Sequence, residues 1–66
     1  MQVIVNGQAH PVPAGTTVAQ LLERLSLAGK RLAVERNGEI VPRSLHPGLA
    51  LADGDRLEIV VAVGGG

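Results

Sequence analysis

Arg56-Leu57-Glu58-Ile59-Val60-Val61-Ala62-Val63, followed by Gly64-Gly65-Gly66, decides how the rest of the chain must be arranged. The run is rich in β-branched and aliphatic residues, so it reads as a strand from Arg56 to Val63. Side chains alternate across a strand. Leu57, Ile59, Val61 and Val63 therefore share one face, and Arg56, Glu58, Val60 and Ala62 share the other. What this strand pairs with is settled by the elements before it.

The chain opens with Met1 to Val5, apolar and β-branched, and then Asn6-Gly7. A type I′ turn needs φ > 0 at both central residues, and Asn-Gly supplies that at least cost, so a hairpin is expected with Gln8 to Val12 returning. Pro11 and Pro13 lack an N–H and place the return strand at a sheet edge. Thr17 and Gln20 have capping-box spacing, and Val18, Leu21, Leu22 and Leu25 form one helical face. Gln20, Glu23 and Arg24 are left to water, and Gly29 predicts a helix end near Ala28. Leu32 to Arg36 reads as a third strand, Asn37-Gly38 as a second hairpin turn, and Glu39 to Val41 as a short return strand that Pro42 stops. Arg43 to Leu51 is expected to be irregular, with Leu45, Leu49 and Leu51 covering one end of the core. Asp53-Gly54-Asp55 is a tight turn into the last strand.

A hairpin, one helix and a second hairpin close into a two-layer core only if the last strand returns beside the first. The first and last strands are then central and parallel, and the helix lies across one face of the sheet. The expected class is α+β, a β-grasp or ubiquitin-like fold, with a mixed sheet of four to five strands and one helix packed across one face. The domain is expected over 1–63, with 64–66 a flexible glycine-rich tail. Met1, Val3 and Val5 should face the helix together with Leu57, Ile59 and Val61. Ile4, Val60 and Ala62 then form an apolar spot on the outer face, a candidate docking patch beside the tail.

Sixty-six residues make one domain. Without Phe, Tyr or Trp, the core must be aliphatic, and without Cys there is no disulfide and little basis for a zinc site. Six basic and six acidic residues balance, so no nucleic-acid footprint is expected. Nothing approaches the ~20 apolar residues that span a bilayer, and the N-terminus lacks a basic leader. No membrane association is expected, and the expected location is cytoplasmic.

A catalytic constellation is not legible. His10 and His46 lack ligand spacing and are expected at the surface. Ser26 and Ser44 have no credible His/Asp partners, and Asp53 and Asp55 lack the further oxygens of a calcium loop. No catalytic and no metal-ligating residue is therefore assigned. The reactive group expected is the Gly66 α-carboxylate, ionised at neutral pH. Such a carboxylate can attack the α-phosphorus of ATP. The chain holds no phosphate clamp, so a partner enzyme must supply it. Gly64 and Gly65, without Cβ atoms, suit threading into a narrow channel.

Several segments together resemble the ThiS family of sulfur carriers. They are the Met-Gln start with Asn6-Gly7, Gly15-Thr16-Thr17-Val18 leading into Leu21-Leu22, Ala33 to Gly38, Ile40-Val41-Pro42-Arg43, Asp53-Gly54-Asp55 and terminal Gly65-Gly66. One departure is Gly64, a third glycine before a pair. The resemblance implies that a ThiF-type adenylyltransferase adenylates Gly66 with MgATP and that a cysteine-derived persulfide system converts it to a thiocarboxylate. The sulfur would then pass to the thiazole synthase ThiG. It also implies no cofactor bound by the chain itself and a co-substrate rather than an enzyme. The alternatives are a carrier for another pathway, such as a MoaD-like molybdopterin carrier, a ubiquitin-like modifier and a non-reactive β-grasp interaction module.

Overall fold

The computed structural model describes residues 1–62, so the expected boundary at 63/64 and the roles given to Gly64, Gly65 and Gly66 lie outside the described residues. Among the described residues, five strands form one sheet in the order β2-β1-β5-β3-β4. They are β1 (Gln2–Val5), β2 (Gln8–Pro11), β3 (Leu32–Arg36), β4 (Glu39–Val41) and β5 (Arg56–Val61). β5 runs parallel to β1 and antiparallel to β3. Both hairpin turns take the expected form: Asn6 and Gly7 have φ of 48° and 84°, and Asn37 and Gly38 have 51° and 88°. β2, carrying Pro11, is an edge strand.

The one α-helix among the described residues, α1 (Val18–Arg24), begins with a complete capping box. The Gln20 N–H donates to Thr17 Oγ1 at 3.2 Å, and the Thr17 N–H donates to Gln20 Oε1 at 2.9 Å. Two further first-turn amides are satisfied from the loop after β4. Val18 N–H donates to Leu49 O at 3.0 Å, and Ala19 N–H to His46 O at 2.9 Å. The irregular segment is thus the cap of the helix as well as a connection.

The helix stops at Arg24, earlier than the expected end near Ala28. Ser26, at φ 60°, takes the left-handed position in place of Gly29. Its N–H bonds Glu23 O, and the Leu27 N–H bonds Leu22 O, the two bonds of a Schellman motif. The cause is Leu27. A continued helix of 3.6 residues per turn would carry Leu27 to about the opposite side from Val18. Turning at Ser26 instead packs Leu27 against the core.

Val3, Val5, Val34, Leu57 and Ile59 line the inner sheet face and bury against Val18, Leu21 and Leu22. This is the face expected from alternation. Leu51 is buried and Leu49 packs against the cluster, but Leu45 is 52% exposed and does not cover the core. A short 3-10 turn over Arg43–Leu45 rotates Leu45 outward and turns the next residue inward. That residue is His46, buried where a surface position was expected, with Nε2 3.2 Å from Val41 O.

Candidate functional site: the root of the glycine tail

β5 is the last strand before residues 63–66, so its placement comes first. Along its first half β5 is bonded on both sides, by β1 and by β3. Backbone bonds from Ile4 N to Asp55 O (2.8 Å) and Asn6 N to Leu57 O (2.9 Å) begin the parallel ladder. The ladder is then extended by a side chain. Asn6 Nδ2 donates to Ile59 O at 3.1 Å, and the Ile59 N–H donates to Asn6 Oδ1 at 2.9 Å. The amide mimics one more residue of β1. At the start of β5, Asn37 acts alike: its N–H donates to Arg56 O at 2.7 Å, and its Oδ1 accepts from Arg56 N at 3.0 Å. Both turn asparagines thus combine a tolerated left-handed φ with a clip on the central strand. The Asn-Gly pattern by itself predicts only their turn role. The one signal available was the choice of Asn, rather than Asp or Gly, at both positions.

Asp55 anchors the root of β5. It is 6% exposed, and three donors converge on it: Ala52 N (2.8 Å), Arg36 Nε (2.8 Å) and Asn37 Nδ2 (3.1 Å). Burial alone raises the pKa of its carboxyl. The Ala52 amide, the Arg36 and Asn37 bonds and the Arg36 charge outweigh that, so it is held below its ordinary 3.8. Asp53, across Gly54, instead accepts the Gln2 N–H at 2.7 Å and ties down the start of β1. The pair belongs to the scaffold. No group of three or more His, Cys, Asp or Glu that could hold a metal occurs among the described residues. Their one helix is too short to cross a membrane.

At the far end of β5, Ala62 is exposed and its N–H donates to Arg31 O at 2.9 Å. Val60, 65% exposed, faces outward opposite Ala33. The three residues expected to make an apolar spot are not brought together as one. Ile4 is on the same outer face but opposite Arg56, four residues before Val60, which is roughly 13 Å along a strand. Val60 and Ala62 instead share a shallow depression with Ala33, Arg31 and Arg43. Ser26 and Ser44 are exposed, and His10 is half-buried on β2.

The comparisons with known proteins agree with this geometry. The chain is 46% identical over its whole length to a thiazole synthase of Paramagnetospirillum magneticum, of which it covers 20%. It spans about a fifth of the length of the first curated relatives it matches. It is 36% identical to the sulfur carrier protein ThiS of Escherichia coli K12, with all of both chains covered. Its fold matches the crystal structure of the thiamine biosynthesis protein ThiS from Geobacter metallireducens with a TM-score of 0.83, at 33% identity and full coverage of both chains. The model of the ThiS family matches residues 3–66. A β-grasp sheet whose central strand leads into a glycine tail, matched by that model over nearly its full length, makes this chain a member of the ThiS family.

Proposed function

We propose that the chain is a sulfur carrier of thiamin biosynthesis and that it works as a co-substrate of other enzymes. The observation that carries the reading is end-to-end similarity to a sulfur carrier of the same length, in a domain whose central strand leads toward residues 63–66. A carrier needs its domain to be rigid and its reactive group to reach into a partner. The two asparagine clips and the Asp55 anchor supply the rigidity.

The chemistry falls on Gly66. One carboxylate oxygen attacks the α-phosphorus of ATP in a ThiF-type adenylyltransferase, and pyrophosphate leaves. The partner supplies the Mg²⁺ and the phosphate contacts. The terminal sulfur of a cysteine persulfide then attacks the acyl carbon, and AMP leaves. A thiol reduces the resulting acyl disulfide, so that sulfur remains on Gly66 as a thiocarboxylate. Gly64 and Gly65 let the terminus enter a narrow site without side-chain clash. Val60 and Ala62 meet the partner beside the tail, with Ile4 further along the same face. Thiazole synthase takes the sulfur. This step is supported by relatives that carry a segment like this chain within proteins named thiazole synthases. An ATP-using pathway and a chain without cysteine favour the cytoplasm.

Intact mass after incubation with MgATP, a ThiF-type adenylyltransferase and a persulfide donor tests the reading. The expected product has one oxygen replaced by sulfur. A variant with one residue appended after Gly66 should stay folded and gain no sulfur. An unchanged mass for the parent chain, with a partner shown to be active on its own carrier, would overturn the proposal.

A further inference from the structure

The chain has two asparagines, Asn6 and Asn37, and each is followed by a glycine. Asn-Gly is open to one spontaneous reaction. The glycine backbone nitrogen attacks the asparagine Cγ, ammonia leaves, and a succinimide ring joins the two residues. Water then opens the ring at either carbonyl. The product is aspartate or, with the main chain rerouted through the side-chain carbonyl, isoaspartate. One water enters and one ammonia leaves, with no redox change. Glycine favours the attack because it has no Cβ to hinder it.

Access does not distinguish the two sites. Both turns are exposed, and a Cβ built on Gly7 or Gly38 would meet nothing within 4 Å. What differs is the hold on the side-chain amide. Ring closure requires that amide to leave its partners, because they fix both the nitrogen that must depart and the carbon that must be attacked. At Asn6 the partners are neutral backbone groups, Ile59 O at 3.1 Å from Nδ2 and Ile59 N at 2.9 Å from Oδ1. At Asn37, Oδ1 accepts from Arg56 N at 3.0 Å, but Nδ2 donates to the buried carboxylate of Asp55 at 3.1 Å. A charged acceptor makes the stronger bond. The surroundings differ in the same sense. Arg56 is in register with Ile4 of β1, whereas Ile59 lies two residues past Leu57, the last β5 residue in register with β1.

We propose that Asn6 is a site of spontaneous deamidation in the folded protein, reached when its clip on Ile59 opens, and that Asp55 protects Asn37 from the same reaction. Conversion removes the clip permanently. An aspartate there has no N–H for Ile59 O and sets a negative charge against it. An isoaspartate adds a methylene to the main chain inside a two-residue turn, whose geometry it breaks. Either product loosens the half of β5 that leads toward residues 63–66.

The test follows both sites in the full chain, kept folded in mildly alkaline buffer or unfolded in guanidinium chloride. Trypsin cuts after Arg24, Arg36 and Arg43 and so puts Asn6 and Asn37 on different peptides. Mass spectrometry then reads the replacement of NH₂ by OH at each. Unfolded, the two should convert at similar rates. Folded, Asn6 should convert roughly ten- to a hundred-fold more slowly than when unfolded, since two neutral bonds must open first, and Asn37 about ten-fold more slowly again. Amide exchange at Ile59 reports the same opening, so denaturant below the unfolding midpoint should raise it in step with Asn6 conversion. Converted chain, separated by ion exchange, should exchange faster at Ile59 than at Leu57. Reaction through whole-chain unfolding alone would give both sites one rate. Equal rates in the folded chain, faster conversion at Asn37, or conversion of Asn6 at its unfolded rate would each overturn the proposal.

Discussion

Asp55→Asn replaces the anchor of β5 with a side chain of the same shape, so the effect is electrostatic and not a cavity. In the parent, Oδ2 accepts from Ala52 N and Arg36 Nε, and Oδ1 accepts from Asn37 Nδ2. A carboxamide has one oxygen. If it faces Ala52 and Arg36, its own NH₂ meets the NH₂ of Asn37. Turning Asn37 over would relieve that clash but would lose its bond from Arg56 N. One donor is stranded either way, and the other two bonds lose their charge. Charged-acceptor bonds contribute about 1.5–3 kcal/mol and neutral ones about 0.5–1.5. Arg36 and Asn37 can recover part of the loss from water, since both have exposed surface. The net cost at pH 7 is about 2–3 kcal/mol. A core this small rarely supplies more than about 3–5 kcal/mol, so roughly half the margin or more would go. For a domain of this size that lowers the thermal midpoint by roughly 10–20 °C.

The pH dependence gives an independent check. The folded pKa of Asp55 lies below its ordinary 3.8. The stability it contributes is therefore fully present above that ordinary value and is lost as pH falls through the folded pKa. The gap between parent and Asp55→Asn should be widest near neutrality and close in strong acid. Far-UV circular dichroism is the assay, because the chain has no Phe, Tyr or Trp to report by fluorescence. A loss below about 0.5 kcal/mol at pH 7, or a gap that stays constant into acid, would refute the reasoning.

Asn6→Asp keeps an acceptor for Ile59 N but sets a carboxylate against Ile59 O. It should cost about 1–2 kcal/mol, and amide exchange at Ile59 should accelerate more than at Leu57. Ser26→Gly relieves the left-handed strain at the helix end, where Ser26 is exposed and at φ 60°. It should stabilise the domain by about 0.5–1 kcal/mol in urea unfolding.

The two hairpins, the capping box and the inner apolar face were legible because each is local. Asn6-Gly7 and Asn37-Gly38 specify their own φ values, Thr17 and Gln20 are three residues apart, and alternation along β1 and β5 sets which side chains face α1. The central parallel placement of β5 also followed, since no other closure buries the helix face. The chemistry proposed for the tail rests on elimination and on resemblance to a family, because Gly66 has no side chain to advertise a role.

What the chain determined by itself, then, was the set of elements, their order and the face each one buries, because these depend on side-chain period and on φ preferences within a few residues. Tertiary structure alone decided the helix end at Ser26, the inward His46 and outward Leu45, the burial of Asp55 and the clip of Asn6 on Ile59. These depend on what lies opposite in space. Asn6 meets a strand 53 residues away, and Asp55 meets Arg36 at a separation of 19. A polar side chain in a turn is satisfied equally well by water or by a distant backbone. Only packing of the sheet, which brings that backbone to within 3.1 Å of the amide, makes the choice.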